Sequence, residues 1–278
     1  CYAGVIKQKE FKLEMDIFVV DAFTNQQFKG NSAAVIPVTI WPEAELMQNI
    51  AVENNLSETA FIKLIKENQY EIRWFSPLTE IDFCGHATLA SAHVLFNELG
   101  VKTEIEFHTA KVGMLKVTLN TDNDIEMVFP AQTPEVITQP PQSLISGLSK
   151  EPTTILKNRQ AYFAIFNNEQ DVRKVTYKTE HLKELAPFDV VVTSLSESAD
   201  YDFVSRYFWP ANGGDEDPVT GSIHCGLAPY WGGILNKSEL IAYQASKRGG
   251  VLKCVVKADN VVISGKAILY LKGKITVS

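Results

Sequence analysis

Ile81-Asp82-Phe83-Cys84-Gly85-His86-Ala87-Thr88-Leu89-Ala90-Ser91-Ala92-His93 is the stretch on which the fold of this chain turns. An apolar and acidic strand end runs into a turn at Cys84, Gly85 and His86, and a helical run of small and apolar residues follows at once. A glycine at such a turn lets a ligand approach the backbone closely. The first turn of a helix has N–H groups without intrahelical partners and carries partial positive charge, so it suits a carboxylate or phosphate. Cys84 and His86 set a thiol and an imidazole beside it. The second half holds a similar unit, Asp215-Glu216-Asp217-Pro218-Val219-Thr220-Gly221-Ser222-Ile223-His224-Cys225-Gly226-Leu227-Ala228. An acidic loop with a proline enters Thr-Gly-Ser and then a small-residue helix. One such helix start per half is what a duplicated fold with its site between the halves produces, and also what chance produces in two short stretches.

Upstream, Asp16 to Phe23 predicts a first strand directly after Met15, and Cys1 to Glu14 reads as an extension outside the fold. Gly30-Asn31-Ser32 either presents backbone donors to a ligand or is a plain turn before a strand over 32–38. The spacing of Ala44, Leu46, Met47, Ile50 and Ala51 predicts a helix over 42–54, with Pro42 in its first turn. In Leu56-Ser57-Glu58-Thr59-Ala60-Phe61, Glu58 stands at the entry to a strand over 60–65. A carboxylate shielded there by small and apolar neighbours is suited to general acid or base work; a solvated glutamate at a strand start is the alternative. A strand over 70–75 follows, then the helix over 86–99, closed by Gly100, and strands over 103–108, 112–119 and 125–129.

The densest proline region, Pro130-Ala131-Gln132-Thr133-Pro134 and Gln139-Pro140-Pro141-Gln142, sets a boundary between a domain over 15–131 and a domain over 132–278. Beyond it the patterns predict a helix at 143–148, a strand at 160–166, a helix at 177–185 and strands at 188–195 and 201–209. A helix over 221–231, with Pro229 near its end, precedes closing strands over 239–246, 251–256 and 261–271. Between the first two of these lies Ser246-Lys247-Arg248-Gly249-Gly250. A guanidinium beside two glycines either grips a carboxylate bidentately or sits solvated at a hairpin turn.

The 278 residues, 45% hydrophobic and 21% charged, have the composition of a soluble globular protein. A net charge of −7 without any Lys/Arg block argues against nucleic-acid binding. No apolar run approaches the roughly 20 residues of a membrane span. Cys1, Cys84, Cys225 and Cys254 are scattered in neither a zinc spacing nor a disulfide framework, so a reduced, cytoplasmic protein is expected. There is no phosphate-loop or dinucleotide fingerprint, the five histidines form no H-E-x-x-H, and Ser222 lies outside any G-x-S-x-G elbow. No metal site is expected. Glu58, His86 and Asp217 remain as acid/base candidates. Cys84 is either a thiolate favoured by the helix start or an inert buried thiol.

Six of these pieces, in this order, resemble the phenazine-biosynthesis PhzF-like isomerases, which are related in fold to diaminopimelate epimerase. They are Val20-Asp21-Ala22-Phe23, Gly30-Asn31-Ser32-Ala33-Ala34-Val35, Leu56-Ser57-Glu58-Thr59-Ala60-Phe61, Gly85-His86-Ala87-Thr88, Glu216-Asp217-Pro218-Val219-Thr220-Gly221-Ser222 and Arg248-Gly249-Gly250. The resemblance implies an α/β (α+β) protein of two similar halves, each a mixed, mostly antiparallel, barrel-like sheet around a central helix. The two helices would point their starts at each other across the cleft. It also implies no metal, no organic cofactor and a homodimer.

By the same resemblance Glu58 is the catalytic acid/base, with His86, Asp217 and Ser222 as the polar groups around it. Asn31, Ser32, Cys84, Gly85, Thr220, Gly221, Arg248 and Gly249 form the substrate-binding set. The chemistry implied is a proton shift between carbons of a small carboxylate-bearing substrate, with N–H groups near Gly85 and Gly221 holding a carboxylate or a developing enolate-like charge. Related epimerases use one cysteine per half; Cys84 stands at the first position, but Thr220 stands at the second and cannot act as a thiolate. Two other readings are an amino-acid epimerase or racemase, and a non-catalytic binding protein that keeps the fold. The intact set of Glu58, His86, Asp217 and Ser222 speaks against lost activity.

Overall fold

Strands with four or more consecutive buried residues need cover on both faces of their sheet, and both halves of this chain contain them. The computed structural model describes residues 12–277. The first half runs β1 (Leu13–Ala22), β2 (Asn31–Val38), α1 (Ala44–Asn54), β3 (Glu58–Lys66), β4 (Gln69–Phe75), β5 (Glu80–Ile81), α2 (Gly85–His93), β6 (Ile105–His108), β7 (Met114–Leu119) and β8 (Ile125–Pro130). The second runs β9 (Glu135–Val136), α3 (Gln142–Gly147), β10 (Thr154–Lys157), β11 (Ala161–Ile165), α4 (Glu169–Lys174), α5 (Thr179–Lys183), β12 (Asp189–Leu195), β13 (Phe203–Phe208) and β14 (Glu216–Asp217). It continues with α6 (His224–Leu235), β15 (Glu239–Gln244), β16 (Gly250–Val256), β17 (Asn260–Gly265) and β18 (Ala267–Val277).

The pairings reveal the duplication. One half reads β18-β1-β2-β3-β4-β6-β7-β8 and the other β9-β10-β11-β12-β13-β15-β16-β17. In each, every step is antiparallel except the third and fifth, β2–β3 and β4–β6 in one, β11–β12 and β13–β15 in the other. Parallel neighbours need a crossover, usually helical. In the first half α1 supplies one crossover on the outer face, and α2 the other on the inner face. Gly85 to Ala92 of α2 are all buried, packed among residues such as Val20, Val35, Trp74 and Phe107. The first half of α6 is enclosed in the same way by Phe163, Phe203 and Leu252. Outside, Met47, Ile50 and Ala51 of α1 cover Ile17, Ile36 and Phe61. Leu144, Val172 and Leu182 of α3, α4 and α5 cover Tyr162, Val190 and Phe208.

Each half is closed by a strand that leaves the other. β9 follows β8 in sequence but pairs with β10; β18 follows β17 but pairs with β1 along its length. β8 and β17 pair antiparallel and join the halves. The run expected as one strand over 261–271 therefore breaks at Lys266, where the chain changes partners. β1 starts three residues earlier than expected, because Leu13, Glu14 and Met15 pair with Val277, Thr276 and Ile275. Residues 1–11 of the expected extension, Cys1 among them, lie outside the described residues.

The second central helix also departs from expectation. It begins at His224 after a turn over 221–223, and passes through Pro229 to Leu235. Pro229 has no N–H for the carbonyl of Cys225, which accepts instead from the N–H of Gln132 in the segment between the halves, at 2.9 Å. A proline inside the helix thus frees an acceptor that holds the linker. α2 ends sooner than expected, in a π-helical turn over 94–98, and Gly100 leaves it at φ +78°. The helix expected over 177–185 shortens to α5, while α4, β10 and the two-residue strands β5, β9 and β14 carry no clear periodic signal.

Two glycines of α6 give a paired test of this packing. A Cβ on Gly226 would lie 2.7 Å from Phe163 and 2.9 Å from the carbonyl of Gln132, whereas one on exposed Gly233 meets nothing within 4 Å. Gly226→Ala should destabilise by about 1–3 kcal/mol through overpacking. Gly233→Ala should stabilise by about 0.5–1 kcal/mol through helix propensity. Urea unfolding of the two variants reads both signs.

Candidate active site

The starts of the two central helices meet: a Cβ built on Gly85 would stand 3.8 Å from the Cα of Gly221. The first intrahelical bond of α2 runs from the Thr88 N–H to the Cys84 carbonyl, so the N–H groups of Gly85, His86 and Ala87 have no acceptor within the helix. Beside this junction lies a cavity of about 250 Å³ whose walls include Glu58, Cys84, His86, Asp217, Thr220 and Ser222. Glu58 is the first residue of β3, His86 the second of α2, and Asp217 the last of β14.

His86 is buried, and its two nitrogens have different partners. Nε2 lies 2.8 Å from Glu58 Oε2 and Nδ1 lies 3.4 Å from Cys84 Sγ. The Asn31 amide also comes within 3.2 Å of Nδ1, but its two hydrogens go to Asp217 Oδ1 at 2.7 Å and the Val219 carbonyl at 3.0 Å. That leaves Nδ1 to the thiol. Burial opposes charge on His86, yet Cys84 and, after it, Glu58 outweigh burial and raise the imidazole pKa well above its ordinary value. Burial, with the negative charge of Glu58, pushes the Cys84 thiol up to about 11. With its pKa near 11 Cys84 is a thiol near neutrality, so the helix start does not make it a thiolate. Glu58, Cys84 and His86 offer ligand atoms within 4.8 Å of one another, a donor set that zinc can use. Here Glu58 meets His86 as an ion pair and the Cys84 thiol contacts Nδ1 of the same ring.

Asp217 accepts from Asn31 and from the Thr220 hydroxyl. Burial raises its pKa to about 6 and Glu58 adds to the rise, against the pull of His86 and the two hydrogen bonds. Thr220 is further fixed by its N–H, which donates to Gln244 Oε1 at 2.8 Å. Asn31 thus serves the site by holding Asp217.

Arg248, Gly249 and Ser32 are placed elsewhere. The Arg248 guanidinium donates to Asp21 Oδ1 at 2.7 Å, to the Gly30 carbonyl at 2.8 Å and to the Lys29 carbonyl at 2.7 Å, while the Gly249 carbonyl accepts from the Gly30 N–H at 2.7 Å. This clasp ties the β1–β2 loop to the β15–β16 turn and borders a separate depression. The guanidinium meets a carboxylate, as its chemistry suggests, but that carboxylate is the protein's own. Ser32 pairs with Asp21 in the β1–β2 ladder and does not line the cavity.

Sequence reasoning missed three residues here. Asp189 opens β12 opposite Ala161, as Glu58 opens β3 opposite Ala33. It accepts from the Tyr207 hydroxyl at 2.6 Å and from Asn212 Nδ2 at 2.7 Å, and burial raises its pKa. Gln160 Nε2 donates to Tyr207 Oη at 3.0 Å and to Ser222 Oγ at 2.9 Å. The sequence signal was the repeat itself: each half begins its third long strand with an acid. The bidentate pairs Arg73–Glu80 and Arg206–Glu216 occupy equivalent places in the two halves, and Glu216 also lines the cavity.

The pKa of Asp217 supplies a pH test. Its folded value lies above the ordinary 3.8, so the folded chain holds this proton more tightly than the unfolded chain. The stability it contributes is present at low pH and falls as pH rises from about 4 to about 6. Asp217→Asn should remove that slope from urea midpoints measured across this window. Thr220→Val, which deletes a donor to the charged form, should move the Asp217 midpoint above 6 in a carboxyl carbon NMR titration.

The sequence profile of the phenazine biosynthesis-like proteins, PhzC-PhzF, matches residues 20–273. An "uncharacterized isomerase" of Halalkalibacterium halodurans is 44% identical over 93% of this chain and 97% of its own length. The crystal structure of a PhzF-family protein from Enterococcus faecalis is 42% identical and superposes with a TM-score of 0.89, covering 95% of this chain and 99% of that one. A hydroxyproline epimerase from Agrobacterium vitis, 10% identical, shares the fold at a TM-score of 0.61 over 95% of this chain and 93% of its own. No described helix is long and apolar enough to cross a membrane. The chain belongs to the PhzC-PhzF, phenazine biosynthesis-like family, and is an isomerase of that family.

Proposed function

We propose that this isomerase needs no cofactor and moves a proton between carbons of a small carboxylate-bearing substrate, with Glu58 as the shuttle. The observation that carries this reading is the 2.8 Å contact of Glu58 with His86 at the edge of the cavity where two helix starts meet. The Glu58 carboxylate takes a proton from a substrate C–H bond and becomes a carboxylic acid. The C–H electron pair shifts the double bonds and leaves an enolate-like anion. The same proton returns from Glu58 to a different carbon, and the carboxylate is restored.

The residues around Glu58 have distinct parts. His86 Nε2 lies 2.8 Å from one Glu58 oxygen as its ion-pair partner, and positive charge on the ring offsets the anion that forms. The N–H groups beside Gly85 and Gly221 hold the substrate carboxylate or the developing charge; one such donor contributes roughly 2.7–4 kcal/mol in other enzymes. Asp217, with its pKa near 6, holds a polar substrate group. The protein acts in the cytoplasm, as a homodimer.

The epimerase reading fares worse on specific grounds. Across the repeat Cys84 corresponds to Thr220, whose hydroxyl is committed to Asp217, and the Cys84 thiol keeps its proton near neutrality. A pair of opposed thiol bases is not available.

Proton exchange followed by NMR in deuterated water tests the proposal. The panel consists of small cyclic and linear amino and hydroxy acids, a dihydro-hydroxyanthranilate among them. The wild type should place deuterium in one of these compounds, and Glu58→Gln should do so at least about a hundred-fold more slowly, the usual loss when a general base is removed. Equal rates in the two proteins would eliminate Glu58 as the shuttle.

A further inference from the structure

We propose that Asp189 is a positioning residue which, through Tyr207 and Gln160, fixes the Ser222 hydroxyl as a hydrogen-bond donor into the cavity and reserves that end of the site for an acceptor-only group, a carboxylate. The proposal rests on the reading of this cavity as the substrate site.

The direction of the chain follows from its first member. An aspartate carboxylate only accepts. Asn212 Nδ2 fills one oxygen, and the other lies 2.6 Å from the Tyr207 hydroxyl, which has a single proton and gives it to Asp189. The phenol oxygen must then accept, so the Gln160 amide has to turn its nitrogen toward it. The second hydrogen of that nitrogen points to Ser222 Oγ, 2.9 Å away. Ser222 Oγ therefore accepts from the protein, and its own proton has no partner among the described residues. Ser222 lines the cavity and stands beside the facing helix starts at Gly85 and Gly221. Three contacts away from Asp189, a serine is thus kept as a donor. Tyr207 is buried, and a buried chain of this kind can reverse only as a unit.

The two halves are used differently at equivalent places. Glu58 in the first half reaches a titrating imidazole, whereas Asp189 in the second reaches a hydroxyl through a phenol and an amide. One carboxylate is set to exchange a proton and the other to orient one.

Benzoate, a small carboxylate without a transferable C–H proton, serves as the probe. Its binding is measured by calorimetry for the wild type, Ser222→Ala, Asp189→Asn, Tyr207→Phe and the double variant Asp189→Asn/Ser222→Ala. In Asp189→Asn, Asn212 keeps the remaining carbonyl oxygen occupied, so the new amide faces Tyr207 and donates to it. The phenol proton turns to Gln160, the amide flips, and the Ser222 proton is drawn back into the protein. Simple charge counting says that removing an acid near the cavity tightens benzoate. The proposal says the opposite: Asp189→Asn weakens it about ten-fold, comparable to the loss of one charge-assisted hydrogen bond. Tyr207→Phe, which cuts the chain without touching charge, should weaken it in the same direction. The double variant should bind like Ser222→Ala alone, because Asp189 acts only through Ser222.

Unchanged or tighter binding in Asp189→Asn, additive losses in the double variant, or a wild type no better than Ser222→Ala would each overturn the proposal. The probe does not turn over, so this outcome is independent of the Glu58 exchange experiment. Loss of exchange with the benzoate pattern intact would remove the proton-shift reading alone, and the reverse would remove the Ser222 assignment alone.

Discussion

Two helix starts brought together in the interior repel each other, and the site is built on what relieves that repulsion. Each start carries partial positive charge, and at Gly85 and Gly221 no side chain separates them. The His86 imidazole, whose pKa is raised above its ordinary value, stands at the same place. The negative groups nearby, Glu58, Asp189 and Asp217, are what this positive junction requires, and among the described residues none of them is paired with a lysine or arginine. The Arg206 guanidinium is taken by Glu216 and that of Arg248 by Asp21. The cationic side of the cavity is thus mostly backbone. Fixed dipoles of this kind need no reorganisation when charge develops on a bound molecule.

The duplicated scaffold keeps its positions and changes its chemistry. Equivalent places pair Glu58 with Asp189, Cys84 with Thr220, His86 with Ser222 and Trp74 with Tyr207, as the matching strand registers require. Even the back-bonds repeat: the Thr88 hydroxyl donates to the Cys84 carbonyl, and His224 Nδ1 contacts the Thr220 carbonyl. The titrating groups gather on the first half, whereas the second contributes hydroxyls and an amide. A single base on one side of a substrate can return a proton only to that side. That asymmetry suits movement of a proton between carbons better than inversion at one carbon, which needs groups on both sides.

The helix starts could be read in the sequence because their signals are local. A glycine, small residues and a flanking acid or imidazole within a few positions define a turn and what stands beside it. Glu58, His86, Asp217 and Ser222 converge because two strand-to-helix turns and one strand entry converge. What depends on distant partners could not be read. The exchange of β9 and β18 between halves is decided by which edge is free, and the break at Lys266 follows from it. Pro229 looks like a terminator until the Gln132 N–H takes the carbonyl it frees. Arg248 looks like a substrate ligand because its guanidinium chemistry is correct, but Asp21, 227 positions away, reaches it first. Asp189 escaped notice because its partner Tyr207 sits on a different strand, and only the register joins them.

Buried polar groups must be satisfied by something, and the pattern of satisfaction here points at the cavity. Asn31 spends both amide hydrogens on Asp217 and Val219, Thr220 spends its N–H on Gln244, and Tyr207 spends its proton on Asp189. Against that background the Ser222 hydroxyl proton has no acceptor among the described residues, and Ser222 lines the cavity together with Gly85 and Gly221. Beside it the buried acceptors Glu58 Oε2 and Asn31 Oδ1 are without a hydrogen-bond partner among the described residues. On the proposed reading, a ligand that answers the Ser222 donor brings an acceptor to the helix starts and keeps a C–H bond within reach of Glu58. On that reading the acidic wall of Glu58, Asp189 and Asp217 limits how far the ligand's negative charge can extend, which sets a carboxylate at the junction of the helices with the carbon skeleton directed away from it.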